Sequence, residues 1–286
     1  MVTIIPQHSG PILANPSVRD EMVDAQTPFV QGSNSKRAAE KPMRTVFDAE
    51  QFKKLSFYRA LLAEFIGTMC LVFGLCSTNL LPGMQPVSAL SNILTSGLLV
   101  STLVVCFGHV SGCHINPAVT IALLVGRQIE LLRTICYIIM QLLGATCGTL
   151  LLKLFAAPSA QKHLCVTMIT EGMSIQQAIC MEFFATFMLC STVFAVMDEY
   201  RNDVGGSKAL TIGLAVSVST AIGGPYTGAS LNPARSFGPA LVNWYWTNHW
   251  IYWFAPISAG ITAAITYNYL LKHRISVPGK HRFSRW

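Results

Sequence analysis

The chain has 286 residues, of which 52% are hydrophobic and only 12% charged, and its mean hydropathy is +0.47. Ordinary soluble domains carry about 25% charged residues, so this composition excludes a soluble globule and places the chain in a bilayer. The formal net charge is +7, but the basic residues avoid the apolar segments, which argues against nucleic acid as a partner.

Residues 1–56 form a polar stretch containing Pro6, Pro11, Pro16, Pro28 and Pro42, with no cleavable signal pattern, and are expected to be a disordered cytoplasmic tail. Apolar runs of roughly spanning length, about 20 residues, follow at 57–81, 87–107, 134–155, 175–197, 209–222 and 250–271. The fifth is short and rich in Gly, Ser and Thr. Residues 272–286 are expected to be a second cytoplasmic tail. Lys and Arg number eight in 1–59, two in 127–133, two in 201–208 and five in 272–286, whereas only Lys153 and Lys162 fall on the other side. The positive-inside rule therefore predicts six spans with both termini cytoplasmic. All nine cysteines except Cys165 lie in apolar or re-entrant sequence, so they are expected to be mainly free thiols.

Two shorter apolar pieces, 117–125 and 233–242, cannot cross a membrane. Each is opened by the same tripeptide: Asn116-Pro117-Ala118, and Asn232-Pro233-Ala234 116 residues later. Asn is a favoured N-cap and Pro a favoured first helical residue, so both copies predict a loop opening into a re-entrant half-helix. The halves repeat further, since Ala63-Glu64-Phe65-Ile66-Gly67-Thr68 resembles Met181-Glu182-Phe183-Phe184-Ala185-Thr186. With three spans per half, the second half must be inverted, which brings the half-helix N-termini toward one midplane focus. There the amides of Asn116 and Asn232 present donors, and the loops Gly112, Cys113, His114 and Gly228, Ala229, Ser230 present carbonyl acceptors. Such a passage suits small neutral hydroxylic solutes and opposes cations and proton relay. No metal cluster, catalytic triad or phosphate-binding glycine loop occurs, so the expectation is a protein without cofactor that is not an enzyme.

Ser111–Thr120 and Tyr226–Ala240 resemble the two signature loops of the aquaporin, or major intrinsic protein, family. That resemblance implies an all-α membrane protein of six transmembrane helices plus two half-helices, one pore per protomer, a homotetramer and a plasma-membrane location. It implies that Glu64 and Glu182 hold the signature loops through hydrogen bonds, since a carboxyl group inside a span costs about 3 kcal/mol on insertion scales and needs partners. It also makes Arg235 the constriction arginine, with Ser96, Thr220 and Ala229 at the other filter positions. Water-selective relatives carry a phenylalanine and a histidine where this chain has Ser96 and Thr220, so the constriction is expected to admit glycerol or urea as well as water. Ser236, Ala240 and the Tyr252-Trp253 pair resemble the water-channel lineage, a combination similar to the glycerol-conducting aquaporins of insects. The alternatives are a strictly water-selective channel and a non-conducting adhesion or signalling member of the same fold. Cys113, three residues before Asn116, is expected to confer mercurial sensitivity from the cytoplasmic side. His114 is expected at the inner vestibule, whereas His109 is either a satisfied structural histidine or a pH-sensitive gate. Gly144 and Gly148 predict a close helix contact, and the aromatics between Trp244 and Trp253 an interfacial belt.

Overall fold

The computed structural model describes residues 49–77, 87–199, 201, 203 and 205–272; most of both expected tails therefore lies outside the described residues. The helices are α1 (Leu55–Cys76), α2 (Ala89–Ser111), α3 (Pro117–Val125), α4 (Leu131–Phe155), α5 (Ile175–Met197), α6 (Lys208–Thr227), α7 (Pro233–Asn243) and α8 (Ile251–Ile265), the last continuing as a π-helical turn over Thr266–Leu271. Five of them are long and apolar enough to cross a bilayer, and α8 with its π continuation supplies the sixth span over residues 251–271. The α3 and α7 helices are the two short pieces. Among the described residues there is no β-strand.

Local chemistry sets the helix starts. Ser88, Ser174 and Ser207 cap α2, α5 and α6 by accepting from the backbone N–H three residues on, and Gln177 completes a capping box with Ser174. Upstream of α1, Ala49–Lys53 forms a 3-10 turn, so helical structure begins before the expected boundary at Phe57. Gln51 in that turn accepts from Arg133 Nε at 2.9 Å, tying it to the start of α4.

The α6 helix runs five residues beyond its expected end at Ile222, through Gly223, Gly224 and Pro225. Proline cannot donate to the carbonyl four residues back, yet the helix continues past Pro225 to Thr227. Here the last-turn carbonyls of Pro225 and Tyr226, which have no partner within the helix, accept from Thr170 Oγ1 at 2.8 Å and Thr170 N at 2.9 Å, so the 166–170 segment caps the extended end of the helix.

Packing follows the sequence duplication. The pair α1–α4 corresponds to α5–α8, α1–α2 to α5–α6, and α4–α7 to α8–α3, while α2 packs on its own counterpart α6. At that central crossing, a Cβ on Gly97 would collide with the Gly213 carbonyl, and one on Gly213 with the Gly97 carbonyl. These glycines are also 116 residues apart, so one close backbone approach fixes the axis relating the halves. Gly144 and Gly148 meet the α1 backbone at Phe65 and Met69, which is the expected close contact. The ends of the bundle are termed the loop end, where residues 156–174 lie, and the tail end, where α1 begins and the π turn of α8 finishes. At the tail end, Tyr267 donates to Asp198 at 3.0 Å across the ends of α8 and α5.

Two cysteines depart from the free-thiol expectation. Cys76, the last residue of α1, and Cys165, in the loop after α4, form a disulfide with Cα atoms 5.4 Å apart. Their apolar and polar sequence settings hid a shared position at the loop end. The other seven cysteines are free.

Candidate functional site: a passage between two half-helices

The α3 and α7 helices meet N-terminus to N-terminus. Asn116 and Asn232 cap them: Asn116 Oδ1 accepts from Ala118 N at 2.8 Å, and Asn232 Oδ1 from Ala234 N at 3.0 Å and Arg235 N at 3.3 Å. Pro117 and Pro233 occupy the first helical position, where the missing N–H removes nothing the helix uses. Each amide then crosses to the other half. Asn116 Nδ2 donates to the Leu231 carbonyl at 2.9 Å and Asn232 Nδ2 to the Ile115 carbonyl at 2.7 Å. This reciprocal pair fixes both amide planes and leaves each a second N–H on the side of the cavity that both asparagines line.

The loops before the asparagines have the same backbone. Gly112 and Gly228 end α2 and α6 with φ of 90° and 77°. Cys113 and Ile115 then take positive φ of 49° and 44°, and Ala229 and Leu231 take 44° and 55°. Four non-glycine residues in the left-handed region need external support. Glu64 and Glu182 supply it, each fully buried. Glu64 accepts from Ser111 Oγ (2.6 Å), His114 N (2.9 Å), Ile115 N (2.7 Å) and Gln141 Nε2 (2.8 Å). Glu182 accepts from Thr227 Oγ1 (2.6 Å), Ser230 N (2.8 Å) and Leu231 N (2.9 Å). Ser111 and Thr227 are again 116 residues apart, and their carbonyls accept from the hydroxyls of Tyr137 (2.9 Å) and Tyr252 (3.2 Å).

A cavity of about 670 Å³ runs past both asparagines. Ser96, Thr220, Ala229 and Arg235 line it together, as do Gly112, Cys113, His114, Gly228 and Ser230. Ser96 Oγ lies 2.8 Å from the Ile93 carbonyl and 3.1 Å from Thr220 Oγ1, so the two hydroxyls are linked side by side. Arg235 Nη1 donates to the Cys165 carbonyl at 3.0 Å. Among the described residues, His114 is the only aromatic side chain in the lining, and it stands against Tyr137 and 3.3 Å from Thr120 Oγ1. His109 is exposed on α2 and does not line the cavity. Leu71, Leu75 and Cys76 of α1, with Leu164 and Cys165, also line it. These five escaped sequence reasoning, and the isolation of Cys165 in polar sequence was the one available signal.

A cavity lined by two opposed half-helices inside six spans has the architecture of a membrane channel. Comparison with known proteins agrees. The family described as Major intrinsic protein matches residues 51–267. Relatives include the lens fiber major intrinsic proteins of Ovis aries, 40% identical over 225 residues (79% of this chain and 86% of that protein), and of Lithobates pipiens, 42% identical over 225 residues with the same coverage. The X-ray structure of the aquaglyceroporin from Plasmodium falciparum matches with a TM-score of 0.66 at 23% identity, over 75% of this chain and 96% of that one, a likeness of fold. The chain belongs to the major intrinsic protein, or aquaporin, family of integral membrane channels, which are passive conduits and not enzymes.

Proposed function

We propose that the chain conducts water together with small neutral solutes of the glycerol and urea class, through the cavity lined by Asn116, Asn232 and the cluster Ser96, Thr220, Ala229 and Arg235. One observation carries this reading: among the described residues, no aromatic side chain lines the cavity beside Arg235, where Ser96 and Thr220 stand instead. A polyol entering there exchanges water for the Arg235 guanidinium, the linked hydroxyls and the loop carbonyls, while Leu71 and Leu75 meet its carbon backbone. Deeper in, the second N–H of each asparagine donates to one permeant oxygen at a time. Because the half-helix N-termini and Arg235 are positive, cations are repelled, and a water held by two donors cannot pass a proton along the file. Glu64 and Glu182 act as scaffold for the loops and do not meet solute.

The same reading places the tail end in the cytoplasm, by the distribution of Lys and Arg, and takes the plasma membrane and a homotetramer from the family resemblance. The test is stopped-flow light scattering on purified protein in liposomes, against empty liposomes. Glycerol flux rising clearly with water flux supports the enlarged constriction. Water flux alone refutes it, and no flux of either refutes conduction.

A further inference from the structure

We propose that the Cys76–Cys165 disulfide is a specificity-determining part of the passage, because it fixes the backbone carbonyl that holds Arg235 and so sets the width left for a solute. The proposal rests on the reading of Arg235 and its neighbours as the constriction. Both cysteines line the cavity, and the Cys165 carbonyl is the acceptor 3.0 Å from Arg235 Nη1. Cys165 has a φ of 63°, a left-handed conformation that a non-glycine residue keeps only when its surroundings enforce it.

Besides the Thr170 bonds to α6, the surroundings nearest Cys165 come from two helices. From α7, Asn243 Nδ2 donates to the Leu164 carbonyl at 3.1 Å, and Thr167 Oγ1 donates to Ser236 Oγ at 2.8 Å. From α1, the restraint is the disulfide, which ties the segment to the helix bearing Leu71 and Leu75. Without that bond the segment keeps its hydrogen bonds to α7 and, through Thr170, to the end of α6, but loses its covalent tie to α1. The Cys165 carbonyl then no longer measures the distance between Arg235 and α1. A guanidinium on a long flexible stem needs such a fixed acceptor to define an opening rather than sweep it. A bridge that merely stiffened the fold would alter thermal stability and leave discrimination between solutes unchanged.

The experiment compares glycerol and water permeabilities in liposomes for the untreated protein, the Cys76→Ala/Cys165→Ala variant and the protein reduced after folding by tris(2-carboxyethyl)phosphine. In the reduction the S–S bond breaks to two thiols, whose protons come from water, and the phosphine takes the water oxygen to become its oxide. Loss of the bridge is expected to shift the glycerol-to-water ratio about threefold or more, the effect of one ill-positioned hydrogen bond. Reducing the double variant is expected to change nothing further. In an Arg235→Ala background the bridge is expected to lose its influence on the ratio, since the two act through one contact.

An unchanged ratio in both the variant and the reduced protein overturns the proposal, as does a ratio shift that persists without Arg235. Titration of nine free thiols in the unreduced, denatured protein overturns it too. Failure of the underlying reading shows separately, as absent glycerol flux in the untreated protein. The proposal then stands or falls on whether removing the bridge opens a glycerol flux.

Discussion

Replacing Glu182 by Gln changes no volume and removes one acceptor oxygen from a fully buried carboxylate. If the remaining oxygen occupies the Oε1 position, Thr227 and Ser230 keep their acceptor and the Leu231 N–H faces an NH2 group. If it occupies the Oε2 position, Leu231 is satisfied and Thr227 can turn to the Gly223 carbonyl 3.2 Å away, but the Ser230 N–H is orphaned. Either arrangement strands one backbone donor, at a cost of about 2 kcal/mol. For a domain of this size that lowers the apparent melting temperature of the detergent-solubilised protein by about 4–8 °C. The Leu231 carbonyl is the acceptor of Asn116 Nδ2, so the displaced peptide disturbs the capping of both half-helices. Water and glycerol permeabilities should therefore fall together, with their ratio unchanged because Arg235 and Ser96 are untouched. Glu64→Gln should cost a similar amount, since His114 N and Ile115 N are its backbone donors. Thr227→Val removes only a donor and should cost about 1 kcal/mol. A melting temperature within about 1 °C of the parent for Glu182→Gln would refute the claim that this carboxylate holds the loop.

Thr186 lies one turn beyond Glu182, fully buried, and its Oγ1 has no hydrogen-bond partner among the described residues, so Thr186→Val should raise the apparent melting temperature by a few degrees, read by differential scanning fluorimetry. Gly148→Ala sets a Cβ about 2.5 Å from the Met69 carbonyl, a backbone atom that cannot step aside, and should destabilise by about 1–3 kcal/mol in the same assay. Cys113 is a free thiol in the cavity lining, so a mercurial reaching the tail-end vestibule should lower water permeability, and Cys113→Ser should abolish that inhibition. His249, outside the spans at the loop end, accepts from Trp253 Nε1 at 3.0 Å, and burial lowers its pKa below the ordinary 6.5. The neutral ring is the form the fold prefers, so this contribution is complete above about pH 6.5 and fades as pH falls from there through the depressed folded value. A melting temperature that drops on acidification in the parent and drops less in His249→Phe is the expected result.

The features legible in the sequence were those whose chemistry is local. Asn-Pro at a helix start announces a cap wherever it occurs, and a glutamate in an apolar run announces that partners must exist. What stayed hidden was set by contacts across the repeat. Gly97 and Gly213 look unremarkable among Leu and Val until α2 is laid on α6. Cys113, Ile115, Ala229 and Leu231 adopt left-handed backbone without being glycine, because Glu64 and Glu182 grip their N–H groups or those of adjacent residues, and no propensity records that. The extent of α6 was missed for a related reason, since Thr170 answers the carbonyls near Pro225 from a distant loop. Cys76 and Cys165 were separated by sequence character and joined by topology.

The inverted repeat also explains why discrimination should reside at one end. Moving Ser96, Thr220, Ala229 and Arg235 by 116 residues gives Ile212, Val104, Cys113 and Val119, and all four line the same cavity. Backbone and helix packing are therefore common to both ends, while polarity is not. At the tail end these positions offer two valines, an isoleucine and a thiol, which can neither replace the hydration of a polyol nor hold a charge. At the loop end the same geometry carries a guanidinium and two linked hydroxyls, with a disulfide beside them. On the proposed reading, these four positions offer a solute a guanidinium and hydroxyls at the loop end, and mainly apolar side chains at the tail end. If the halves arose by duplication, divergence at these four lining positions gives a symmetric scaffold one polar mouth, because the carboxylates of Glu64 and Glu182 grip both loops through groups outside these positions.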